Sequence, residues 1–149
     1  MRAILTRVSS ASVTIDGAVT GEIGKGFLIL LGVGPNDNSQ ICKKLAEKAL
    51  GLRIFTDEND KMNLGLSDVG GNVLVISQFT LFGDTKKGRR PSFTGAAAPD
   101  MANKLYEEFL GHCTTLGYPP QHGQFGAHMD VASVNDGPVT LILDTEEWK

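Results

Sequence analysis

Three short segments of the chain carry residue types and spacings that could do chemistry. The first is Ser77-Gln78-Phe79-Thr80, which interrupts an apolar strand with two hydroxyls, a side-chain amide and one aromatic ring. On spacing alone the simpler reading is a polar strand end with Phe79 packed inward. The functional reading is that Ser77, Gln78 and Thr80, or their backbone amides, line a pocket. Thr80 is a candidate nucleophile, yet nothing near it in sequence supplies the base a hydroxyl needs. The second segment is Asn135-Asp-Gly-Pro-Val-Thr140. Gly137-Pro138 ahead of a strand is ordinarily a tight turn, since only about 5–6% of X-Pro bonds in folded proteins are cis. A cis bond here would hold two carbonyl oxygens in a fixed orientation, with no side chain on Gly137 to obstruct them. The third is Asp84-Thr-Lys-Lys-Gly-Arg-Arg-Pro91, where Lys86, Lys87, Arg89 and Arg90 surround Gly88. This is either a solvated charge run or a local anion site, and arginine forks match phosphate geometry.

The common catalytic patterns are missing. The sequence has no Gly-x-Ser-x-Gly elbow, no phosphate loop ending Gly-Lys-Ser/Thr and no Cys-x-x-Cys. Its histidines are His112, His122 and His128, and none makes a closely spaced ligand pair. No metal site and no cofactor is therefore expected. The carboxylates are scattered over turns and helix surfaces and suggest no acid/base pair.

The elements that must position these segments follow from periodicity. Ala3 to Val8 and Ser12 to Ile15 are rich in β-branched residues, and Asp16-Gly17 is a hairpin signal leading into Ala18 to Thr20. Phe27 to Leu31 is a continuous apolar run suited to a central strand. A helix follows, capped by Asn38 or Ser39, with Ile41, Cys42, Leu45, Ala46, Ala49 and Leu50 on one face. Arg53 to Phe55 reads as a short strand, Asp57 to Gly71 as a polar connection, and Asn72 to Leu81 as a long strand. Gly83 to Pro99 reads as a loop. A second helix runs from about Pro99 to Thr115, with Met101, Leu105, Phe109 and Cys113 four apart. Phe125 to Val134 and Val139 to Leu143 read as the last two strands, joined by Asn135 to Pro138. The expected fold is α+β: a curved, mostly antiparallel sheet or partly open barrel with two main helices.

Composition bounds the function. A chain of 149 residues fits one domain, and 41% hydrophobic with 21% charged residues argues against disorder. The net charge of −3 counts against a general nucleic-acid binder. No stretch has the length and apolarity of a signal or a membrane span. Cys42 and Cys113 fall on helical apolar faces and read as buried, reduced thiols, which favours a cytoplasmic protein. Glycine is in surplus, 18 of 149, which implies many turns, bulges or close backbone approaches.

Taken together, the three segments resemble D-aminoacyl-tRNA deacylase of the bacterial and eukaryotic type. The resemblance spans essentially the whole chain: Arg7-Val8, Gly21-Glu-Ile-Gly24, Leu52-Arg-Ile-Phe55, Lys61-Met-Asn-Leu64, Ser77-Gln-Phe-Thr-Leu81, Arg90-Pro-Ser-Phe93 and Asn135-Asp-Gly-Pro-Val-Thr140. Its two diagnostic motifs stand in order, about 60 residues apart. A related animal deacylase family departs at both, and this chain does not.

The resemblance implies a homodimer that cleaves the ester between a D-amino acid, or glycine, and the terminal adenosine of tRNA. It implies that Gly137 and Pro138, joined by a cis bond, enter the partner subunit's pocket and exclude L side chains. Arg7 and Asn135 would support that loop. Ser77, Gln78, Phe79 and Thr80 would form the wall beside the scissile ester, with the Phe79 amide as an oxyanion contact. Ala102, Phe125, Gly126 and Met129 would line the pocket for the amino acid and adenosine, and Lys86, Lys87, Arg89 and Arg90 would meet tRNA phosphates. The RNA's own 2′-hydroxyl would assist the attack, so no side chain need be the nucleophile. His128 is expected to vary. The competing expectation is a non-catalytic dimeric module that binds tRNA ends.

Overall fold

The computed structural model describes residues 1–149. Its organising element is β1 (Arg2–Ile15), in which Ala3, Leu5, Val8 and Val13 are fully buried. Asp16 and Gly17 both take positive φ, 49° and 80°, as a tight two-residue hairpin requires, and lead into β2 (Ala18–Ile23). β3 (Gly26–Gly32) follows at once and is almost entirely buried. β2 lies antiparallel against the C-terminal half of β1, and β3 lies antiparallel against its N-terminal half. β8 (Asp130–Asp144) runs along the other edge of β1, from Arg2 opposite Asp144 to Thr14 opposite Asp130.

The sheet then turns parallel. β6 (Asn72–Ser77) pairs with β3, and the two-residue β7 (Gln121–His122) pairs with β6. The sheet is therefore mixed, antiparallel around β1 and parallel beyond β3. It curls until β2 approaches β7: a Cβ on Gly21 would stand 2.8 Å from the His122 carbonyl oxygen. Glycine at that position permits the near-closure into a barrel. Val8, Val13, Ile23, Leu28, Leu74 and Ile76 fill the space inside the curl, with Met129 against them.

Helices cover the opposite face. α1 (Ser39–Leu50) starts where Asn38 Oδ1 accepts the Ile41 N–H at 2.9 Å, and it buries Cys42, Leu45, Ala46, Ala49 and Leu50. α3 (Pro99–Thr115) begins on a proline and buries Ala102, Leu105, Tyr106, Phe109, Leu110 and Cys113. Together with Leu5, Phe27, Ile29, Val73 and Val75 from the sheet, these side chains form the main core. Cys42 and Cys113 are free thiols in it, and burial pushes both up to about 12. Neither helix is long and apolar enough to cross a membrane.

Three details depart from the sequence reading. The expected strand at Arg53–Phe55 starts two residues later, as β4 (Phe55–Thr56), paired with β5 (Met62–Leu64), and the polar connection also holds the short helix α2 (Leu66–Val69). The long strand from Asn72 stops at Ser77 and gives way to a 3₁₀ turn over Phe79–Phe82. The two C-terminal strands are one, β8, and it starts only at Asp130. Phe125–Met129 is a turn because Gly126 takes φ +80° and the Ala127 N–H bonds back to Gln124.

Candidate active site

Strand β6 delivers the first segment to the surface. Val73, Leu74, Val75 and Ile76 are buried, Ser77 and Gln78 are half-buried, and Phe79 and Thr80 are exposed. The Gln78 N–H donates to the Leu31 carbonyl at 2.8 Å, which ties the strand end to β3. The chain then tightens into the 3₁₀ turn, whose first N–H groups, those of Phe79 and Thr80, precede any acceptor within it. Gln78 Nε2 donates to Thr80 Oγ1 at 3.0 Å, so the two polar side chains orient each other. Phe79 does not pack inward: 56% of it is exposed, and its ring meets Phe93 edge-to-face at 5.3 Å.

A cavity of about 440 Å³ opens beside this turn. Ser77, Gln78, Phe79 and Thr80 form one wall, Phe93, Ala96, Ala97 and Pro99 another, and Phe125, Gly126, Ala127 and Met129 a third, with Ala102 of α3 also lining it. The walls are fixed from behind. Tyr106 Oη donates to the Val75 carbonyl at 2.9 Å, its ring lies 6.1 Å from that of Phe125, and burial pushes its hydroxyl well above the ordinary tyrosine range. The lining holds no histidine, carboxylate or cysteine. What it offers is apolar surface, two hydroxyls, one amide side chain and backbone N–H groups. Such a site binds and polarises; it has no side-chain base within its own lining.

The second segment stands apart from this cavity. Thr6 pairs with Thr140 and Val8 with Asn135, so Asp136–Val139 bulge out of β8 opposite the single residue Arg7. Arg7 is buried. Its Nε donates to the Asp136 carbonyl at 2.8 Å, and its Nη1 donates to the Ile54 carbonyl at 2.8 Å and lies 3.4 Å from Thr56 Oγ1. Asn135 closes the bulge from its base: its Oδ1 accepts the Val139 N–H and its Nδ2 donates to Thr140 Oγ1, both at 2.8 Å. The Gly137–Pro138 bond is cis, Gly137 takes φ +138°, and both residues are exposed. Neither lines the cavity of its own chain.

The third segment forms a hairpin tip. Asp84 and Ser92 exchange both backbone hydrogen bonds, at 2.7 and 2.9 Å, and Asp84 Oδ1 accepts the Lys86 N–H. Gly88 takes φ +65° at the tip. Lys86, Lys87, Arg89 and Arg90 are exposed and have no acidic partner among the ion pairs of the chain. The returning arm leads straight to Phe93 in the cavity wall. His128 is exposed, 3.9 Å from Asp130.

Of the residues expected from sequence, Ser77, Gln78, Phe79, Thr80, Ala102, Phe125, Gly126 and Met129 line the cavity, whereas Arg7, Asn135, Gly137, Pro138 and the four cations do not; Phe93, Ala96, Ala97 and Pro99 line it without having been expected there. Their apolar, small residues sit in a loop, and the signal available was an aromatic directly after a basic run. Ile54 and Thr56 were missed as well, because they serve Arg7 through a carbonyl and a hydroxyl that no spacing reveals.

The model of the family described as D-Tyr-tRNA(Tyr) deacylase matches residues 4–144 of this chain. The chain belongs to that family. It is 54% identical to the D-aminoacyl-tRNA deacylase of Thermosipho africanus over 99% of both chains. It is 57% identical to that of Desulfatibacillum aliphaticivorans, over 98% of this chain and 100% of the relative, and 56% identical to that of Deinococcus radiodurans, over 97% and 99%. Among solved structures it is similar to one described as "c-Myc DNA Unwinding Element Binding Protein", with TM-score 0.90, 37% identity and coverage of 97% and 98%. A second, described as a probable eukaryotic D-amino acid tRNA deacylase, shares the fold at TM-score 0.80 and 17% identity, covering 95% and 97%. The deacylase family acts on aminoacyl-tRNA, and this member is an ester hydrolase, a D-aminoacyl-tRNA deacylase, not a non-catalytic module.

Proposed function

We propose that all 149 residues form one deacylase domain that acts as a homodimer in the cytoplasm and removes D-amino acids and glycine from tRNA while sparing L-aminoacyl esters. The observation that carries this reading is the separation of the two diagnostic segments. The Ser77–Thr80 wall lies in the cavity, while Gly137 and Pro138 are outside its lining, on an exposed bulge. A second subunit bringing its bulge to the cavity mouth would unite them. The exposed apolar residues Val131, Val134 and Ile142 on the same strand favour such a pairing.

In this reading Gly137 and Pro138 of one subunit present their carbonyls to the amino acid in the partner's pocket. An L side chain would collide with that backbone, whereas a D side chain points elsewhere and glycine has none. Arg7 and Asn135 hold the bulge in place. Ala102, Phe125, Gly126 and Met129 receive the amino acid and terminal adenosine, and Lys86, Lys87, Arg89 and Arg90 meet phosphates upstream. The ester carbonyl lies along Ser77, Gln78, Phe79 and Thr80, where the Phe79 N–H stabilises the developing oxyanion. The substrate's 2′-hydroxyl assists the attack, which suits a lining with hydroxyls and amides but no histidine or carboxylate. The reaction needs no metal and no cofactor on this route.

The test is deacylation of D-Tyr-tRNA and L-Tyr-tRNA at trace enzyme. The D ester and glycyl-tRNA should be lost while the L ester persists. Equal loss of the two enantiomers would refute the filter.

A further inference from the structure

We infer that Phe93, backed by Phe79, is the stacking platform for the base of the nucleotide that precedes the terminal adenosine. The inference rests on the reading that the cavity takes the aminoacylated adenosine. Phe93 and Phe79 line the cavity and are the two large aromatics left exposed, at 38% and 56%. They are also ordered against each other. The rings meet edge-to-face at 5.3 Å, and a Cβ on Gly83 would come within 2.9 Å of the Phe93 ring, so a glycine there leaves room for it. An exposed ring clamped on two sides loses little freedom when a ligand covers it.

Charge points to the occupant. Phe93 follows directly on the arm of the Asp84–Ser92 hairpin, whose tip carries four unpaired cations. Both rings line the cavity and Phe93 is the residue after Ser92 on the hairpin arm, so along the chain the pair stands between the cavity and that tip. The charged phosphates of a polyanion leaving the cavity would meet the lysines and arginines, and its first base outside the cavity would meet the rings. Alternating aromatic and cationic groups along one path are how proteins hold single-stranded nucleic acid, with stacking that tolerates any base. Phe93 thus extends the site by one nucleotide, between the adenosine pocket and the basic tip.

The experiment compares two small esters, D-phenylalanyl-adenosine and the same ester carrying one additional 5′ cytidylyl residue. With the native protein the added nucleotide should raise kcat/KM roughly tenfold, mostly through KM, the size of one base–aromatic stack. Phe93→Leu keeps an apolar wall but no ring; because Phe93 also lines the cavity, the readout is the ratio of the two esters, which should fall from roughly ten to about one whatever happens to cleavage of the single-nucleoside ester. Phe93→Tyr should keep the gain. The inference is overturned if the native protein gains nothing from the extra nucleotide, if Phe93→Leu keeps the full gain, or if it slows both esters alike, which would make Phe93 a wall of the pocket only. Cleavage of neither ester by the native protein overturns the adenosine-pocket reading itself, and the stacking inference falls with it.

Discussion

The Ser77–Thr80 turn and the Gly137–Pro138 bulge, the two segments proposed to present backbone to a ligand, are supported in opposite ways. The turn ends a strand that is buried on both faces, flanked by β3 and β7 and backed by Tyr106. Many apolar contacts share its support, so no single side chain is indispensable. The bulge leaves a strand paired on one edge only, and its shape depends on a few polar contacts from Arg7 and Asn135. A site that must hold reacting atoms can rest on packing. A loop that must reach outward from a surface has no packing to rest on and is held by directional bonds instead.

That contrast can be broken or sharpened by substitution. The largest effect is expected from Arg7→Ala, which leaves the buried Ile54 carbonyl and the Asp136 carbonyl without a charged donor and should cost about 3 kcal/mol, read by denaturant unfolding. D-Tyr over L-Tyr discrimination should collapse with it. Arg7→Lys should not restore either, because an ammonium point charge cannot span acceptors that the guanidinium fork reaches together. Unchanged stability would mean the bulge holds itself.

Next comes Gly137→Ala. At φ +138° an added Cβ would stand 2.8 Å from Val139 Cγ2 and 3.0 Å from Arg7 Nη2. The bulge must shift, and D-aminoacyl-tRNA cleavage should fall about 100-fold, the scale of an ångström-level misplacement, with the melting temperature little changed. On the turn, by comparison, Thr80→Ala removes one hydrogen bond to Gln78 and should slow deacylation no more than about fivefold. Complete loss in a folded Thr80→Ala protein would make the threonine a nucleophile and overturn the 2′-hydroxyl route.

The smallest effect concerns the core behind the turn. Cys42 and Cys113 ionise near 9.0 when unfolded but only at about 12 when buried. Their folded pKa values are raised, so their contribution to stability is complete below pH 9 and is lost as the pH rises toward 12. By pH 10 each thiol should cost about 1 kcal/mol, measured as the fall in unfolding free energy from pH 8. Cys→Ser variants of both should flatten that slope.

How far the sequence reveals this molecule tracks the same contrast. The helices α1 and α3 were legible because an apolar residue every three or four positions has one explanation. The end of β6 was half legible: Ser77 marks where burial stops, but Phe79 and Leu81 look like more strand, and only the structure shows the chain tightening into a 3₁₀ turn that leaves Phe79 in the cavity wall. β8 was misread as two strands because Asn-Asp-Gly-Pro has the composition of a turn. It is one strand because β1 is long enough to pair on both sides of the bulge. Arg7 is the least legible residue of all, since its shortest hydrogen bonds go to main-chain oxygens 47 and 129 positions away.

The pairing of β1 with β8 has a consequence for how the protein is made. Arg2 lies opposite Asp144, so the strand that leads the chain is completed by the strand that ends the sheet. During synthesis β1 can form its hairpin with β2 and its ladder with β3 early, yet its other edge stays open until residues 130–144 have left the ribosome. The nascent chain therefore carries an unpaired β edge from the emergence of β1 until that of β8, a template for wrong pairing with neighbouring chains. With so many contacts spanning the whole length, closure is slow by topology alone. The sheet can close only after residues 130–144 have been made.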